Sequence, residues 1–235
     1  MILNRYLAAG VLAFGILTSI GHAIVQVNPT ALTGPGPGYS PFTVSSSDLL
    51  QTAAVTGVTS SGNFSQEGAG GIPILNNGLF VINGGNPSDN SQLATTENNA
   101  FLQVAFNLSA SPQGYNFGEI DTYGGWNDNG RDAQRFTLSY SKVSAPGTFL
   151  PIGTIDFDPV AAGDPSAVKV QFIDSVGAPI ATNAAFLRID FAAGQENGYA
   201  GLGEVDVFAA AVPEPSSAML ALLSALGALG FCRRR

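Results

Sequence analysis

The sequence predicts an all-β protein, and three observations support this fold class. Only 11% of the 235 residues are charged, whereas Gly (29 residues) and Pro (14 residues) are frequent, which is typical of short strands joined by many turns. Five segments alternate apolar and polar residues with a period of two, and no long segment between the termini has the 3.6-residue period of a helix. Clusters rich in Asn and Gly separate these segments and are expected to form turns. Together these features fit one antiparallel β-sandwich of the jelly-roll kind.

The alternating segments define the expected core. In the first of them, Leu102 and Val104 are separated by Gln103, and the same pattern recurs in each of the others. The five segments are 102–108, 136–141, 168–172, 187–191 and 204–207. Each is expected to bury its apolar face and to expose its polar face, which in the last segment carries Glu204 and Asp206.

The sandwich domain is predicted to span residues 48–208. Before it, residues 24–47 contain the segment Gly34-Pro35-Gly36-Pro37-Gly38, which can form neither a helix nor a strand interior. Residues 24–47 are therefore expected to be a leader or an edge segment. Residues 209–235 are predicted to be a linker followed by a C-terminal tail.

The first 23 residues are predicted to be a signal peptide that forms a helix. Arg5 supplies a positive charge, and residues 6–20 form an almost continuous apolar run. Gly21 and Ala23 place small residues at positions −3 and −1 of a cleavage site after Ala23. An uncleaved membrane anchor or a buried helix is the alternative, although the run is short for a membrane span.

The last 24 residues combine three features in order. Residues 212–215 read Val-Pro-Glu-Pro, and Pro213 and Pro215 keep this peptide extended. Residues 218–232 are rich in Ala and Leu and predict a transmembrane helix of about 22 Å, which is marginal for a hydrocarbon core of ~30 Å. Arg233, Arg234 and Arg235 end the chain and predict that the C-terminus lies in the cytoplasm.

This tail resembles the PEP-CTERM sorting signal, in which a Pro-Glu-Pro motif, a hydrophobic helix and an Arg cluster follow one another. The resemblance implies that an exosortase, a membrane cysteine protease of bacteria that make exopolysaccharide, processes the chain near the motif. It assigns recognition to Pro213, Glu214 and Pro215 and a stop signal to Arg233–Arg235. An ordinary C-terminal membrane anchor is the alternative.

Composition excludes several kinds of chemistry between the termini. His22 and Cys232 are the only His and Cys of the chain, and both lie in the terminal apolar segments. The body therefore has no disulfide, no thiolate nucleophile, no imidazole base and no Cys/His zinc site. The net charge is −8, and four of the nine basic residues lie in the terminal segments, so no nucleic-acid partner is expected.

The body resembles the galactose-binding-like family, also called discoidin or coagulation factor 5/8 type C domains. The likeness lies in the turn Asn77-Gly78, the strand around Leu102-Gln103-Val104, the segment 120–141 and the closing strand 201–208. The family's usual turn Asp is Asn77 here, and its Trp before the second strand and its terminal cysteines are missing. The resemblance implies a jelly-roll sandwich whose loops at one end bind sugars.

A structural Ca²⁺ is also implied by this resemblance, because it often lies near the Glu of the family's closing strand. Asn77 and Glu204 are then the candidate ligands, in keeping with the preference of Ca²⁺ for oxygen donors. The alternative is that Glu204 is solvated at the start of its strand and that Asn77 only closes a turn.

The loop at 123–132 is the candidate carbohydrate site, because sugar recognition needs an aromatic plate, planar polar groups and close backbone approach. The alternatives are that Trp126 plugs the end of the sandwich, that Arg131 pairs with Asp128 or Asp132, and that Tyr199 is a corner tyrosine bonded to backbone. The candidate ligand-binding residues are Tyr123, Trp126, Asn127, Asp128, Arg131 and Tyr199.

These features predict an exported, non-enzymatic protein of the cell surface or extracellular matrix, bound to the membrane by its C-terminal helix until it is processed. Extracellular polysaccharide is the expected partner. One alternative is a structural matrix protein without a defined ligand. The other is a glycoside hydrolase that uses paired carboxylates, with Asp156 and Asp158 or Glu204 and Asp206 as the pair.

Overall fold

A computed structural model describes residues 24–34, 36, 38–82, 89–126, 131–159, 166–193 and 196–211. The predictions for the signal peptide, for the sorting motif and for the helix at 218–232 lie outside these residues. Within them, no helix is long and apolar enough to cross a membrane.

The described residues form eleven strands, all paired antiparallel, and three short 3-10 turns at Gln66–Gly68, Ile72–Asn76 and Glu196–Gly198. The all-β prediction is confirmed. The strands are β1 (Val25–Thr33), β2 (Val55–Ser60), β3 (Ala94–Glu97), β4 (Phe101–Phe106), β5 (Tyr115–Trp126), β6 (Gln134–Lys142), β7 (Ala145–Phe157), β8 (Ser166–Asp174), β9 (Ala181–Phe191), β10 (Tyr199–Leu202) and β11 (Glu204–Ala209).

The strands build a β-sandwich of two layers. One layer has the order β1-β8-β5-β11, and the other has the order β7-β6-β9-β4-β2. The start of β5 also pairs with β9 at Tyr115 and Phe117, so the two layers are continuous at that corner. Strands β3 and β10 form a separate two-stranded sheet.

The core lies between the two layers, where the period-2 pattern places it. Leu102 and Val104 on β4 are buried, as are Val170 and Phe172 on β8 of the opposite layer. The rings of Phe136 on β6 and Phe172 have centroids 6.0 Å apart, which joins the layers directly. Each such side chain stabilises the fold by about 1.5–3 kcal/mol relative to its exposed state.

Strand β11 departs from the expected pattern because both of its faces are buried. Val205 and Val207 lie in the core, as predicted. Glu204 and Asp206 on the other face are also 0% exposed, so the prediction that they face solvent is wrong. The cause is the segment 39–51, which covers this face: the Ser45 N–H donates to Asp206 Oδ2 at 2.8 Å.

The region upstream of residue 48 contains an ordered strand. Strand β1 pairs along its whole length with β8 and forms one edge of its layer. After β1, the Gly38 N–H donates to the Ile82 carbonyl at 2.7 Å, and the Ile82 N–H donates to the Tyr39 carbonyl at 2.9 Å. These bonds bring the chain back to the sandwich, where Tyr39, Phe42 and Val44 pack against a cluster that includes Tyr123 on β5 and Ala167 on β8.

Candidate functional site

Trp126 and Arg131 pack together where β5 ends. Trp126 is 6% exposed, and the guanidinium carbon of Arg131 lies 4.5 Å from the centroid of its ring, within range of a cation–π contact. Arg131 also forms an ion pair with Glu67 of the first 3-10 turn. The expected pairing of Arg131 with Asp132 is wrong, because neither carboxylate oxygen of Asp132 has a hydrogen-bond partner.

Asn127 and Asp128, which the sequence places in the same binding loop, lie outside the described residues. Their part in a binding site stays a prediction.

Tyr123 is a core residue. It is 1% exposed, and its ring packs against Phe80 and Phe42, with centroids 5.7 and 6.0 Å away. Its hydroxyl donates to Asp206 Oδ2 at 3.1 Å. Burial raises the pKa of the Tyr123 phenol, which keeps it protonated as a donor. Tyr123 therefore presents no ring face to a surface ligand in this structure, because residues 39–45 cover the sheet at this point.

Tyr199 is partly exposed and lies at the same end of the sandwich as Arg131. The turn Glu196–Gly198 directly precedes it, and Glu196 Oε2 accepts the Arg131 N–H at 2.5 Å. Farther along β10, a Cβ at Gly201 would lie 3.6 Å from the Arg131 carbonyl oxygen, so the two segments are in van der Waals range. The structure thus brings together the segments of Trp126, Arg131 and Tyr199, while their role in sugar binding stays a prediction.

A buried acidic cluster, formed by Asp48, Asp121, Glu204 and Asp206, lies beneath residues 39–51. All four are nearly inaccessible to solvent, and Asp121 and Asp206 stand directly opposite each other on β5 and β11. Lys169 Nζ lies 2.6 Å from Asp121 Oδ2. Three oxygens of the cluster have no hydrogen-bond partner, namely Asp48 Oδ2, Asp121 Oδ1 and Asp206 Oδ1. The cluster is therefore short of donors and of positive charge.

No local sequence pattern links Asp48 and Asp121 to this cluster. Asp121 lies on β5, which is buried on both faces from residue 120 to 126, and Asp48 lies in a loop. Two neighbouring strands that carry acidic residues directly opposite each other, as Asp121 and Asp206 are, would indicate such a cluster once the strand pairing is known.

Burial raises the pKa of each carboxyl group in the cluster. The pKa of Glu204 rises to about 8, mainly through loss of hydration and then through the charge of Asp206. The pKa of Asp121 rises to about 6 through loss of hydration, although Lys169 opposes this change. Asp48 and Asp206 shift in the same direction, again mainly through burial. Glu204 therefore holds its proton at neutral pH.

Glu204, one candidate calcium ligand, contacts the turn that contains the other candidate, Asn77. Glu204 Oε2 accepts the N–H of Gly78, which follows Asn77, at 3.2 Å, and Glu204 Oε1 accepts from Gln51 Nε2 at 3.1 Å. Asn77 Oδ1 accepts the Leu79 N–H at 2.8 Å and so closes its own turn. Both candidates thus have protein partners, and calcium ligation by Asn77 and Glu204 stays a prediction.

A second group of acids, here called the rim carboxylates, comprises Asp132, Asp158 and Glu196. One carboxylate oxygen from each lies within 4.8 Å of the other two, and they are the only such group among the described residues. Asp132 is 1% exposed. Burial, followed by the charges of Glu196 and Asp158, raises the pKa of Asp132 to about 7. Since the three residues come from three separate loops, no local sequence pattern links them.

Neither of the two carboxylate pairs that the sequence suggests for a glycoside hydrolase consists of two accessible, unpaired carboxylates. Glu204 and Asp206 are buried beneath residues 39–51. Asp156 and Asp158 are bridged by Arg135, with N–O distances of 2.8 and 3.0 Å.

Comparison with known proteins bears on the tail most directly. Residues 211–235 match the family described as the PEP-CTERM protein-sorting motif, so the predicted sorting signal is confirmed. The motif indicates an exported protein that an exosortase processes at the membrane and that is sorted to the cell surface. The chain is thus an exported β-sandwich protein with a C-terminal sorting signal. No curated protein matches the chain.

Several solved carbohydrate-binding modules resemble the body. A pectin-binding module is 14% identical, covers 68% of this chain and 95% of its own, and has a TM-score of 0.36. A family 32 module of Clostridium perfringens in complex with galactose is 12% identical, with coverages of 64% and 91% and a TM-score of 0.40. Another from the same organism, in complex with GalNAc-β-1,3-galactose, is 12% identical, with coverages of 65% and 94% and a TM-score of 0.39. The TM-scores are low, so neither a ligand nor a function follows from this similarity.

Proposed function

We propose that the chain is a non-enzymatic protein of the cell surface or extracellular polymer layer, whose β-sandwich stays outside the cell after an exosortase has processed the tail. The sorting motif at 211–235 is the observation that carries this proposal. Strand β11 ends at Ala209, and Ala210 still donates its N–H to the Asn116 carbonyl at 2.8 Å. A cut near the motif therefore leaves every strand of the sandwich in the product.

The C-terminus of the protein recovered from the cell surface tests this proposal. Mass spectrometry of the wild-type chain is expected to find a C-terminus near Pro213–Pro215. Glu214→Ala is expected to retain the tail in the membrane fraction, whereas Asp190→Ala, on the sandwich surface, is the matched control and is expected to be processed normally. Surface material that still ends at Arg235 would refute processing.

We further propose that the end of the sandwich that carries Trp126, Arg131 and Tyr199, here called the Arg131 end, binds an extracellular polysaccharide. The Arg131 guanidinium stacks on the ring of Trp126 and pairs with Glu67, which fixes a planar polar group at this end, and the partly exposed Tyr199 lies on the adjacent segment. A structural protein without a ligand is the second candidate. The burial of Trp126 and Tyr123 favours it, because it leaves little aromatic surface for a sugar.

A glycan array probed with the full chain in detergent micelles, with and without Ca²⁺, separates the two candidates. Arg131→Ala and Tyr199→Ala are expected to abolish glycan binding. Arg188→Ala is the matched control, since Arg188 also stacks on an aromatic ring, at 3.9 Å from Phe101, but on strand β9. If the wild-type chain binds no glycan, the structural role is favoured. If the wild type binds a glycan and all three variants bind it equally, the Arg131 end is not the binding site. Hydrolysis of a polysaccharide that disappears on replacing one carboxylate would overturn the non-enzymatic assignment.

A further inference from the structure

The rim carboxylates converge from three loops on one side of the sandwich. Asp132 lies just before β6, Asp158 just after β7, and Glu196 in the turn before β10. Their oxygens lie within 4.8 Å of one another, although like charges repel at this distance. Such a convergence needs a compensating group between the three side chains.

Asp132 is the most deeply buried of the rim carboxylates. It is 1% exposed, and neither of its carboxylate oxygens has a hydrogen-bond partner. Buried carboxylates are normally hydrogen-bonded, paired with a cation or bound to a metal. The nearest charges, on Glu196 and Asp158, are also negative, which is one reason that the pKa of Asp132 is raised.

The other two carboxylates are held in place by neighbouring groups. Glu196 Oε2 accepts the backbone N–H groups of Arg131 and Ala133, at 2.5 and 3.1 Å. Arg135 Nη2 lies 3.0 Å from Asp158 Oδ2. Contacts of this kind orient metal ligands in proteins. Three carboxylates and one guanidinium together carry a net negative charge, which a divalent cation can balance.

We propose that Asp132, Asp158 and Glu196 bind a divalent cation, and that Ca²⁺ is the ion that fits best. The donor set consists of carboxylate oxygens, which select hard cations. The three oxygens lie within 4.8 Å of one another, which is close enough for one ion to contact all three. Ca²⁺ tolerates irregular coordination by about six to eight oxygens, whereas Mg²⁺ demands near-ideal octahedral geometry, so side chains from three separate loops suit Ca²⁺ better. The Asp158 side chain is 37% exposed, which leaves solvent access for the ion and for water ligands. This site is separate from the buried acidic cluster.

Isothermal titration of the full chain in detergent micelles, after treatment with EDTA, tests this site with CaCl₂ and MgCl₂ as probes. The wild-type chain is expected to bind Ca²⁺ more tightly than Mg²⁺. Asp132→Asn and Asp158→Asn are expected to lose this binding. Asp156→Asn is the matched control, because it removes a neighbouring carboxylate on Arg135 that is not part of the converging group. Glu204→Gln tests the buried acidic cluster in the same titration, and neither control is expected to change binding.

Thermal unfolding of each variant distinguishes loss of metal binding from failure to fold. Without metal, Asp132→Asn removes a buried charge and is expected to unfold at the same or a higher temperature than the wild-type chain. Ca²⁺ is expected to raise the unfolding temperature of the wild-type chain and of Asp156→Asn, but not that of Asp132→Asn or Asp158→Asn. The proposal is overturned if the wild-type chain binds neither ion, if Asp132→Asn and Asp158→Asn bind like the wild type, or if only Glu204→Gln loses binding.

Discussion

Replacing Glu204 by Gln is expected to remove a large part of the pH dependence of stability in the metal-free protein. Glu204 is completely buried, and its pKa rises from 4.5 to about 8 in the folded chain. Because the folded state holds this proton more tightly than the unfolded state, the contribution is fully present below pH 4.5. It is lost as the pH rises through 8. Glu204→Gln carries no proton to lose, and its amide oxygen can still accept the Gly78 N–H.

The size of the effect follows from the shift itself. A pKa raised from 4.5 to about 8 corresponds to at most about 5 kcal/mol of unfolding free energy, and to roughly 3 kcal/mol if the folded pKa is one unit lower. The two proteins are therefore expected to have similar stability near pH 4.5. At pH 9 the variant is expected to be more stable by about 3–5 kcal/mol. The charges of Asp206 and Asp48 contribute to the Glu204 shift, so the difference between the proteins also includes the response of these two carboxyl groups to the substitution.

Urea unfolding from pH 4.5 to 9 in EDTA, followed by the fluorescence of Trp126, measures this difference. Trp126 is the only Trp of the chain and is buried in the folded state. Asp190→Asn removes an exposed carboxylate and is expected to track the wild type. The reasoning is refuted if the stability difference between wild type and Glu204→Gln is the same at both ends of the pH range. A repeat with CaCl₂ tests the calcium role of Glu204, because an ion bound there would restore only the wild type at high pH.

Three further substitutions test the packing. Gly125→Ala places a Cβ 2.5 Å from the Ser166 carbonyl oxygen on β8 and is expected to lower the free energy of unfolding by about 1–3 kcal/mol. An unchanged midpoint of urea unfolding would mean that β5 and β8 can move apart there without loss of stability. Phe172→Ala removes a buried ring that joins the layers and is expected to cost about 3–5 kcal/mol by urea unfolding, and a loss under 1 kcal/mol would contradict its place in the core. Arg131→Met removes the cation over Trp126 and is expected to cost about 1 kcal/mol and to shift the Trp emission, and an unchanged emission would contradict the stacking.

The apolar core could be predicted from the sequence because its signal is local. Leu102 and Val104 on β4, and Val170 and Phe172 on β8, alternate with polar residues, and a strand turns alternate residues to one face whatever its neighbours are. Packing of two such faces then follows, since each must be covered by apolar surface. The order of the strands does not follow from this pattern, because pairing depends on contacts between distant segments.

The burial of Glu204 and Asp206 could not be predicted for the same reason. A strand with alternating acids looks identical whether water or another segment covers its polar face. The covering segment, residues 39–51, follows a Gly- and Pro-rich stretch that indicates irregular structure but not its location. The sequence predicts a loop at 123–132, yet β5 continues through Tyr123, Gly124 and Gly125 to Trp126. Where backbones approach closely, glycine within a strand indicates packing rather than a turn.

The two acidic groups show why the same residue type leads to different chemistry in one fold. In the buried acidic cluster, Glu204 and Asp206 accept hydrogen bonds from Gly78, Gln51, Ser45 and Tyr123, and Lys169 pairs with Asp121, although three oxygens of the cluster lack a partner. At the rim, no donor reaches Asp132, and solvent has access through Asp158. A proton on Asp132 would satisfy one oxygen only, whereas a divalent ion satisfies all three carboxylates at once. The pairing of Asp121 with Lys169 in the buried cluster and the solvent access at the rim therefore favour the rim carboxylates as the group that binds a metal.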